Sequence, residues 1–286
     1  MSAFSRWKEK MYVKLRRTLY LENMDTKLFM LHGLEVEKYL ERNLHQNPKY
    51  DSPDKLTRFE FQVYSQFGED GIIREIFRRI GTTNKYFVEF GVEDGSETNT
   101  TYLLYQGWKG LWIDGEKRFI SSIHASCRNA IRSGQLTALQ SFITAENIES
   151  LFARANVPEE FDLLSIDIDR NDYHVWKAIT HYRPRVVVIE YNAIYRADDY
   201  YVIPYDANAM WDKSSNCGAS LKAMEQLGAE KGYKLVASSF AGLNAFFVRE
   251  DVMGDHFTGP FTAENHYEEA RYYLLTKLGH PRKISL

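Results

Sequence analysis

One short stretch constrains the fold more than any other. Val186-Val187-Val188-Ile189, the heart of a strand expected over residues 185–191, is apolar at every position. A strand without a polar face must be covered on both sides, which places it in the middle of a parallel sheet flanked by helices. The same run is far too short to cross a bilayer. Earlier strands are expected over 86–90, 111–114, 136–142 and 161–168. Helical stripes separate them. Ile72, Ile73, Ile76, Phe77 and Ile80 end at Gly81, and 98–105 reads as a helix. Ile148, Leu151 and Phe152 follow Thr144 as a cap, and Val175, Trp176 and Ile179 share a face. The alternation then breaks. A long loop leads to a helix through Leu221, Met224 and Leu227. Strands at 233–240 and 243–249 follow, joined at Ala241-Gly242 as a hairpin.

The chain has 286 residues, enough for one large domain or one domain with an extension. Its 36 Lys and Arg against 39 Asp and Glu give a net charge of −3, so no nucleic-acid partner is expected. Two cysteines, Cys127 and Cys217, argue against a disulfide scaffold and a cysteine-based zinc site, and a cytoplasmic location is the expectation. Residues 1–60 differ from the rest. Arg6, Lys8, Lys10, Lys14, Arg16 and Arg17 face only Glu9, while Phe4, Trp7, Met11 and Leu15 recur at helical spacing. Such a helix either packs on its own domain, the favoured reading, or lies on an anionic membrane surface. No continuous apolar stretch marks a signal peptide there. Residues 47–54, rich in turn formers, read as a linker. The expected division is a basic helical extension over 1–60, a sheet domain over 61–250 and a helical segment over 251–286.

Glu89-Phe90-Gly91-Val92-Glu93-Asp94-Gly95 lies where the first strand meets the next helix. Glycine there allows a sharp turn and close approach of a ligand to the backbone. The spacing is not the G-x-G-x-x-G of nicotinamide enzymes. Glu89, Glu93 and Asp94 would repel a pyrophosphate. They suit a ligand with a cationic centre and free hydroxyls, and S-adenosylmethionine is one. Asp114 ends the second strand, where an acid can accept the ribose hydroxyls. By itself it does not separate S-adenosylmethionine from NAD; with the turn and the hairpin it favours the former. The plainer alternative is that Gly91 and Gly95 only shape a turn.

Asp167 and Asp169 stand two apart as the fourth strand exits, with Asp172 at the mouth of the next helix. Glu190 and Asn192 end the fifth strand. The carboxyl ends of strands in an open α/β sheet line the ligand crevice. Crowded carboxylates there can raise one another's pKa and act as a base, or hold Mg²⁺ through Asp167, Asp169, Glu190 and Asn192. Asp172 also suits a helix cap, and His174 is a weaker candidate base. The loop with Tyr195, Tyr200 and Trp211 is aromatic and acidic, which fits the apolar faces and hydroxyls of a sugar. Residues 65–71, with Gln66 and Glu69, either cap the next helix or close over the cofactor's amino-acid end.

Ser65-Gln66-Phe67-Gly68-Glu69-Asp70, Val88-Glu89-Phe90-Gly91, Asn99-Thr100, the run Gly107-Trp108-Lys109-Gly110-Leu111-Trp112-Ile113-Asp114, and Ser165-Ile166-Asp167-Ile168-Asp169 through Asn171-Asp172-Tyr173 resemble FkbM-type methyltransferases. The likeness covers residues 62–250 and is nearest a bacterial branch found among surface-polysaccharide genes. It implies a Rossmann-like methyltransferase fold, with a mostly parallel seven-stranded sheet ending in an antiparallel hairpin. It also implies O-methylation of a sugar or glycan hydroxyl by S-adenosylmethionine. Glu89, Gly91 and Asp114 fall on its cofactor positions; Gln66, Glu69, Glu93, Gly95, Asn99 and Asp167 complete the expected cofactor set. Asp167 and Asp169 match the strand-four acids, where the similar metal-dependent sugar O-methyltransferases hold Mg²⁺. Arg170 stands where such motifs carry glycine, so a left-handed residue there would be strained; Arg170 could instead meet an anionic substrate. Two rivals stay open: an NAD-dependent oxidoreductase and a binding module without turnover.

Overall fold

The structure is a computed structural model and describes residues 3–18, 24–276 and 282–286. The chain forms two compact units, residues 1–47 with 276–281, and residues 48–275 with 282–286. The first contains helices α1 (Ala3–Thr18) and α2 (Met24–Leu40), linked by a hydrogen bond from the Arg16 guanidinium to Asp25. The expected stripe on α1 is present, but Phe4, Trp7, Met11 and Leu15 are exposed rather than packed away.

The second unit holds seven strands: β1 (Tyr86–Phe90), β2 (Lys109–Asp114), β3 (Leu136–Gln140), β4 (Glu160–Ile166), β5 (Arg183–Glu190), β6 (Tyr233–Ser238) and β7 (Asn244–Arg249). Their order is β3-β2-β1-β4-β5-β7-β6. The first five are parallel, and β7 runs antiparallel to both β5 and β6. This is the Rossmann-like sheet with a terminal hairpin that the sequence implied. The strand order reverses between β1 and β4, so the crevice at a switch point opens above their carboxyl ends.

The β5 sequence explains why that strand is central. Side chains alternate across a sheet with period two. Val187 and Ile189 enter the core layer that holds Phe90, Leu164 and Trp176, while Val186 and Val188 enter the opposite layer with Phe87, Trp112 and Ile76. All four are fully buried.

Several expected boundaries shift. β4 stops at Ile166, so Asp167 and Asp169 lie in the turn beyond it. The helix expected over 98–105 shortens to Thr101–Tyr105. At helix Ile148–Arg154 the cap position belongs to Asn147, whose side chain accepts from the Thr144 N–H, so Thr144 is not the cap. The sheet unit begins at Pro48 rather than 61, because Tyr50 and Leu56 are buried in it and Thr57 donates to the Ser238 carbonyl at 3.0 Å. Past 250 the described residues form three single-turn helices, Glu250–Met253, Ala263–His266 and the 3-10 turn Tyr272–Leu274, within loops that up to Leu275 belong to the same unit. Tyr191 anchors that stretch by donating to the Glu268 carbonyl at 2.9 Å.

Candidate active site

Two backbone turns meet at the switch point. After β1 the chain turns at Gly91, with φ +79° and its N–H donating to the Ile113 carbonyl at 3.1 Å. A Cβ added there would lie 1.5 Å from the Asp167 carbonyl oxygen. The group that approaches Gly91 is therefore the turn after β4. No helix follows directly; residues 92–100 run as turns and bends. Glu89 organises them. Its buried carboxylate accepts from the backbone N–H groups of Asn99 (2.9 Å) and Thr100 (3.1 Å), and from the hydroxyls of Thr100 and Ser165. The Asn99 amide donates to Ser165 Oγ at 3.1 Å. Glu89 is thus a framing group whose carboxylate oxygens are already engaged, and Asn99 is tied to it through its backbone N–H and, by way of Ser165, its side-chain amide. At Gly95 a Cβ would strike the Trp112 ring at 2.7 Å, so its role is also packing.

Asp114 ends β2 as expected. Its two oxygens accept the N–H groups of Glu93 (2.9 Å) and Glu116 (2.7 Å), and each keeps a lone pair for a further donor. Burial first, then Asp94 and Asp114, raise the Glu93 carboxyl, and Asp169 adds to the effect. The acids of the turn and those after β4 therefore share one negative field.

The β4–β5 register pairs Ile166 with Ile189, which sets Asp167 level with Glu190. The chain then reverses at Asp169, φ +64°. Arg170 is not the left-handed residue. Asp tolerates that region better than most side chains, so the missing glycine is compensated one position earlier. Carboxylate oxygens of Asp167, Asp169 and Glu190 all lie within 4.8 Å of one another. Among the described residues, no cation comes between them. Burial, then Asp172 and Asp169, holds the Asp167 carboxyl well above its ordinary range. Burial, then Asp167, does the same for Glu190, and burial alone raises Asp169.

Asp172 is completely buried. One oxygen accepts the Ile168 N–H at 2.8 Å, and the other has no partner. Burial pushes its carboxyl up to about 7. Arg170 Nε and Asn171 Oδ1 are also buried without a partner, so three successive residues leave polar atoms unmatched beside the cluster. A carboxyl raised by folding binds its proton more tightly in the native state. It costs no stability below its unfolded pKa, and the cost grows as pH rises toward its folded one. In chelator, Asp172→Asn is therefore expected to unfold at higher denaturant than wild type at pH 8. The difference should vanish near pH 4, as read by urea titration across pH.

A cavity of about 390 Å³ opens over this cluster, lined among others by Gln66, Phe67, Asp167, Asp169, Glu190 and Trp211. Glu69 lies beneath, fully buried, accepting from the Phe67 N–H (2.9 Å) and the Asn244 amide (3.1 Å); it shapes the Gln66–Phe67 segment. Asn192 lines the cavity, but its amide donates to the carbonyls of Ser215 (2.8 Å) and Cys217 (3.0 Å), and its oxygen accepts the Ile194 N–H. It pins the long loop, and the three carboxylates that converge are those of Asp167, Asp169 and Glu190. His174 lies within hydrogen-bond distance of the Ile203 carbonyl (2.7 Å) through Nε2 and is tilted against Tyr205, and it is not among the residues that line the cavity. Tyr195 stacks on Tyr201 at 4.3 Å, and Tyr195, Tyr200 and Arg170 are likewise absent from the lining. Lys213, Cys217 and Tyr272 do line it. Lys213 and Cys217 sit in irregular loop and Tyr272 in a single 3-10 turn, Tyr272–Leu274, all without motif or periodicity, and no sequence signal points to them.

No protein-family model matches the chain, and no curated protein matches it. Solved structures overlap with it in part. The N-terminal domain of EvdMO1 with SAH bound is 12% identical, with TM-score 0.41, over 63% of this chain and 79% of that one. An S-adenosylmethionine-dependent methyltransferase from Clostridium acetobutylicum ATCC 824 is 11% identical, with TM-score 0.38, over 62% and 89%. A Klebsiella pneumoniae protein assigned as an O-methyltransferase is 13% identical, with TM-score 0.46, over 78% and 99%. Likenesses of this size carry no argument about chemistry, which rests on the residues of the crevice.

Proposed function

We propose that the protein is an S-adenosylmethionine-dependent O-methyltransferase acting on a hydroxyl of a sugar or glycan. The observation that carries this reading is the trio of Asp167, Asp169 and Glu190, converging within 4.8 Å at the carboxyl ends of β4 and β5. A site so negative repels a dinucleotide pyrophosphate and attracts a sulfonium and an ammonium. Asp114, with lone pairs to spare at the end of β2, suits a ribose diol. Gln66 and Phe67 border the cavity where the donor's amino-acid end would enter.

The trio also fits a divalent cation. Three hard oxygen donors meet with no cation of the described residues placed among them, and burial followed by like-charge crowding raises two of the carboxyls, a crowding that a dication would relieve. Asp167, Asp169 and Glu190 would hold Mg²⁺, which when bound supplies the positive charge that acidifies an acceptor hydroxyl.

The chain's own residues align and deprotonate. The acceptor oxygen forms a bond to the methyl carbon as the sulfur–carbon bond breaks, and S-adenosylhomocysteine leaves as a neutral sulfide. Asp169, exposed at the cavity mouth, takes the acceptor's proton and can pass it to solvent. Trp211 and Tyr272 offer aromatic faces against the apolar side of a sugar ring and help exclude water. The resemblance to surface-polysaccharide methyltransferases supports a glycan acceptor.

Ligand-induced stabilisation tests the reading. S-adenosylhomocysteine at a hundred times its dissociation constant is expected to add about 2.7 kcal/mol to unfolding. NAD is expected to add nothing. Stabilisation by NAD alone, or by neither ligand in calorimetry on folded protein, overturns the proposal.

A further inference from the structure

We propose that α1 docks in the interface of an anionic lipid bilayer. Phe4, Trp7, Met11 and Leu15 fall on one side of this helix at the 3.6-residue period, with Tyr12 at the margin. Phe4 is 64% and Trp7 57% exposed. Arg6 and Lys10 lie on the far side. Lys8 and Lys14 flank the stripe, where their long stems can run along it and keep the charge in water. Lys8 already extends over the Phe4 ring, with its nitrogen 4.8 Å from the centroid.

A helix of sixteen residues is marginal in water on its own hydrogen bonds, and most helices gain their stability by covering an apolar face. The chemistry of α1 limits what can cover this one. α1 itself carries six cations and one anion, Glu9, with Arg16 bonded to Asp25 of α2, so a second α1 would still bring like charges together. A nucleic acid would satisfy the cations and leave the aromatic stripe bare. An anionic bilayer satisfies both faces: acyl chains take the rings and the headgroups take the cations. Among the described residues no helix is long and apolar enough to cross a membrane, so the contact lies in the interface plane. This inference does not depend on methyl transfer, and its test involves none.

The full chain is co-sedimented with vesicles of phosphatidylcholine alone and of equimolar phosphatidylcholine and phosphatidylglycerol. Binding is expected to be roughly a hundredfold stronger on the anionic vesicles and to fall as salt is added. The triple substitution Arg6→Glu, Lys10→Glu, Lys14→Glu should abolish that preference. Trp7 insertion is read separately, as a blue-shifted emission component present in wild type and missing from Trp7→Phe. Failure to pellet with anionic vesicles overturns the proposal, as does equal pelleting of wild type and the triple variant. So does a dimer in sedimentation velocity that the triple variant disrupts, since the occupant would then be a second copy.

Discussion

Asp169→Asn is expected to lower methyl transfer by about a hundredfold to ten-thousandfold, the range that a positioned proton acceptor contributes. The substitution is clean for three reasons. Asn has the same shape as Asp. It is among the few residues that adopt the left-handed conformation readily, so the φ of +64° at this position is preserved. The residue as a whole is exposed and its carboxyl, though partly shielded from water, has no hydrogen bond or charge partner that holds it ionised, so removing the charge should not unfold the turn. S-adenosylhomocysteine binding should change little, because the loss is confined to the reacting state. Chelation then separates two ways in which Asp169 can act. If chelator brings the wild type down to the variant's rate, the carboxylate works by holding a cation. If chelator leaves the wild type unchanged, Asp169 takes the proton directly. Full activity of Asp169→Asn in both conditions would remove Asp169 from the reaction.

How much of this site the sequence disclosed depends on the kind of interaction involved. The sheet was legible because Val186–Ile189 leave a strand no exposed face, and because the hairpin at Gly242 reverses direction within a few residues. Both are local properties of the chain. Convergence of Asp167 with Glu190 was legible in outline, since both leave parallel strands at the same end. What the sequence could not show was which polar groups are already satisfied. Glu89 and Asn99 look like ligand contacts in a motif, yet each is engaged by residues 66 or more positions away or by the next turn of chain. Asn192 has the chemistry of a metal ligand, but its amide closes a loop onto Ser215 and Cys217. His174 is aimed at the Ile203 carbonyl by the same loop. Hydrogen-bond satisfaction is a tertiary property with no periodicity, so motif reading overestimates the number of free site groups. Tyr272 shows the converse error. It reaches the cavity from a segment beyond the matched motifs, where nothing in the spacing marks it.

Gly91→Ala is expected to be the most destabilising single substitution in the site, costing more than about 4 kcal/mol and preventing folding if the protein is marginal. Two effects act there, and a control separates them. Gly107 has nearly the same backbone, φ +80° against +79°, but a Cβ at Gly107 meets nothing within 4 Å. Gly107→Ala should therefore show backbone strain alone, about 1–2 kcal/mol. At Gly91 the same strain is joined by a Cβ placed 1.5 Å from the Asp167 carbonyl oxygen, a backbone atom that cannot rotate away. Relief requires the β1 and β4 turns to separate. Separation would lift Asp167 from its level with Glu190, so the damage to stability and to the carboxylate trio has one origin. Urea denaturation of the two variants measures the difference. If Gly91→Ala costs no more than Gly107→Ala, the turns are not in contact, and the position of Asp167 must be set by something other than the glycine beneath it.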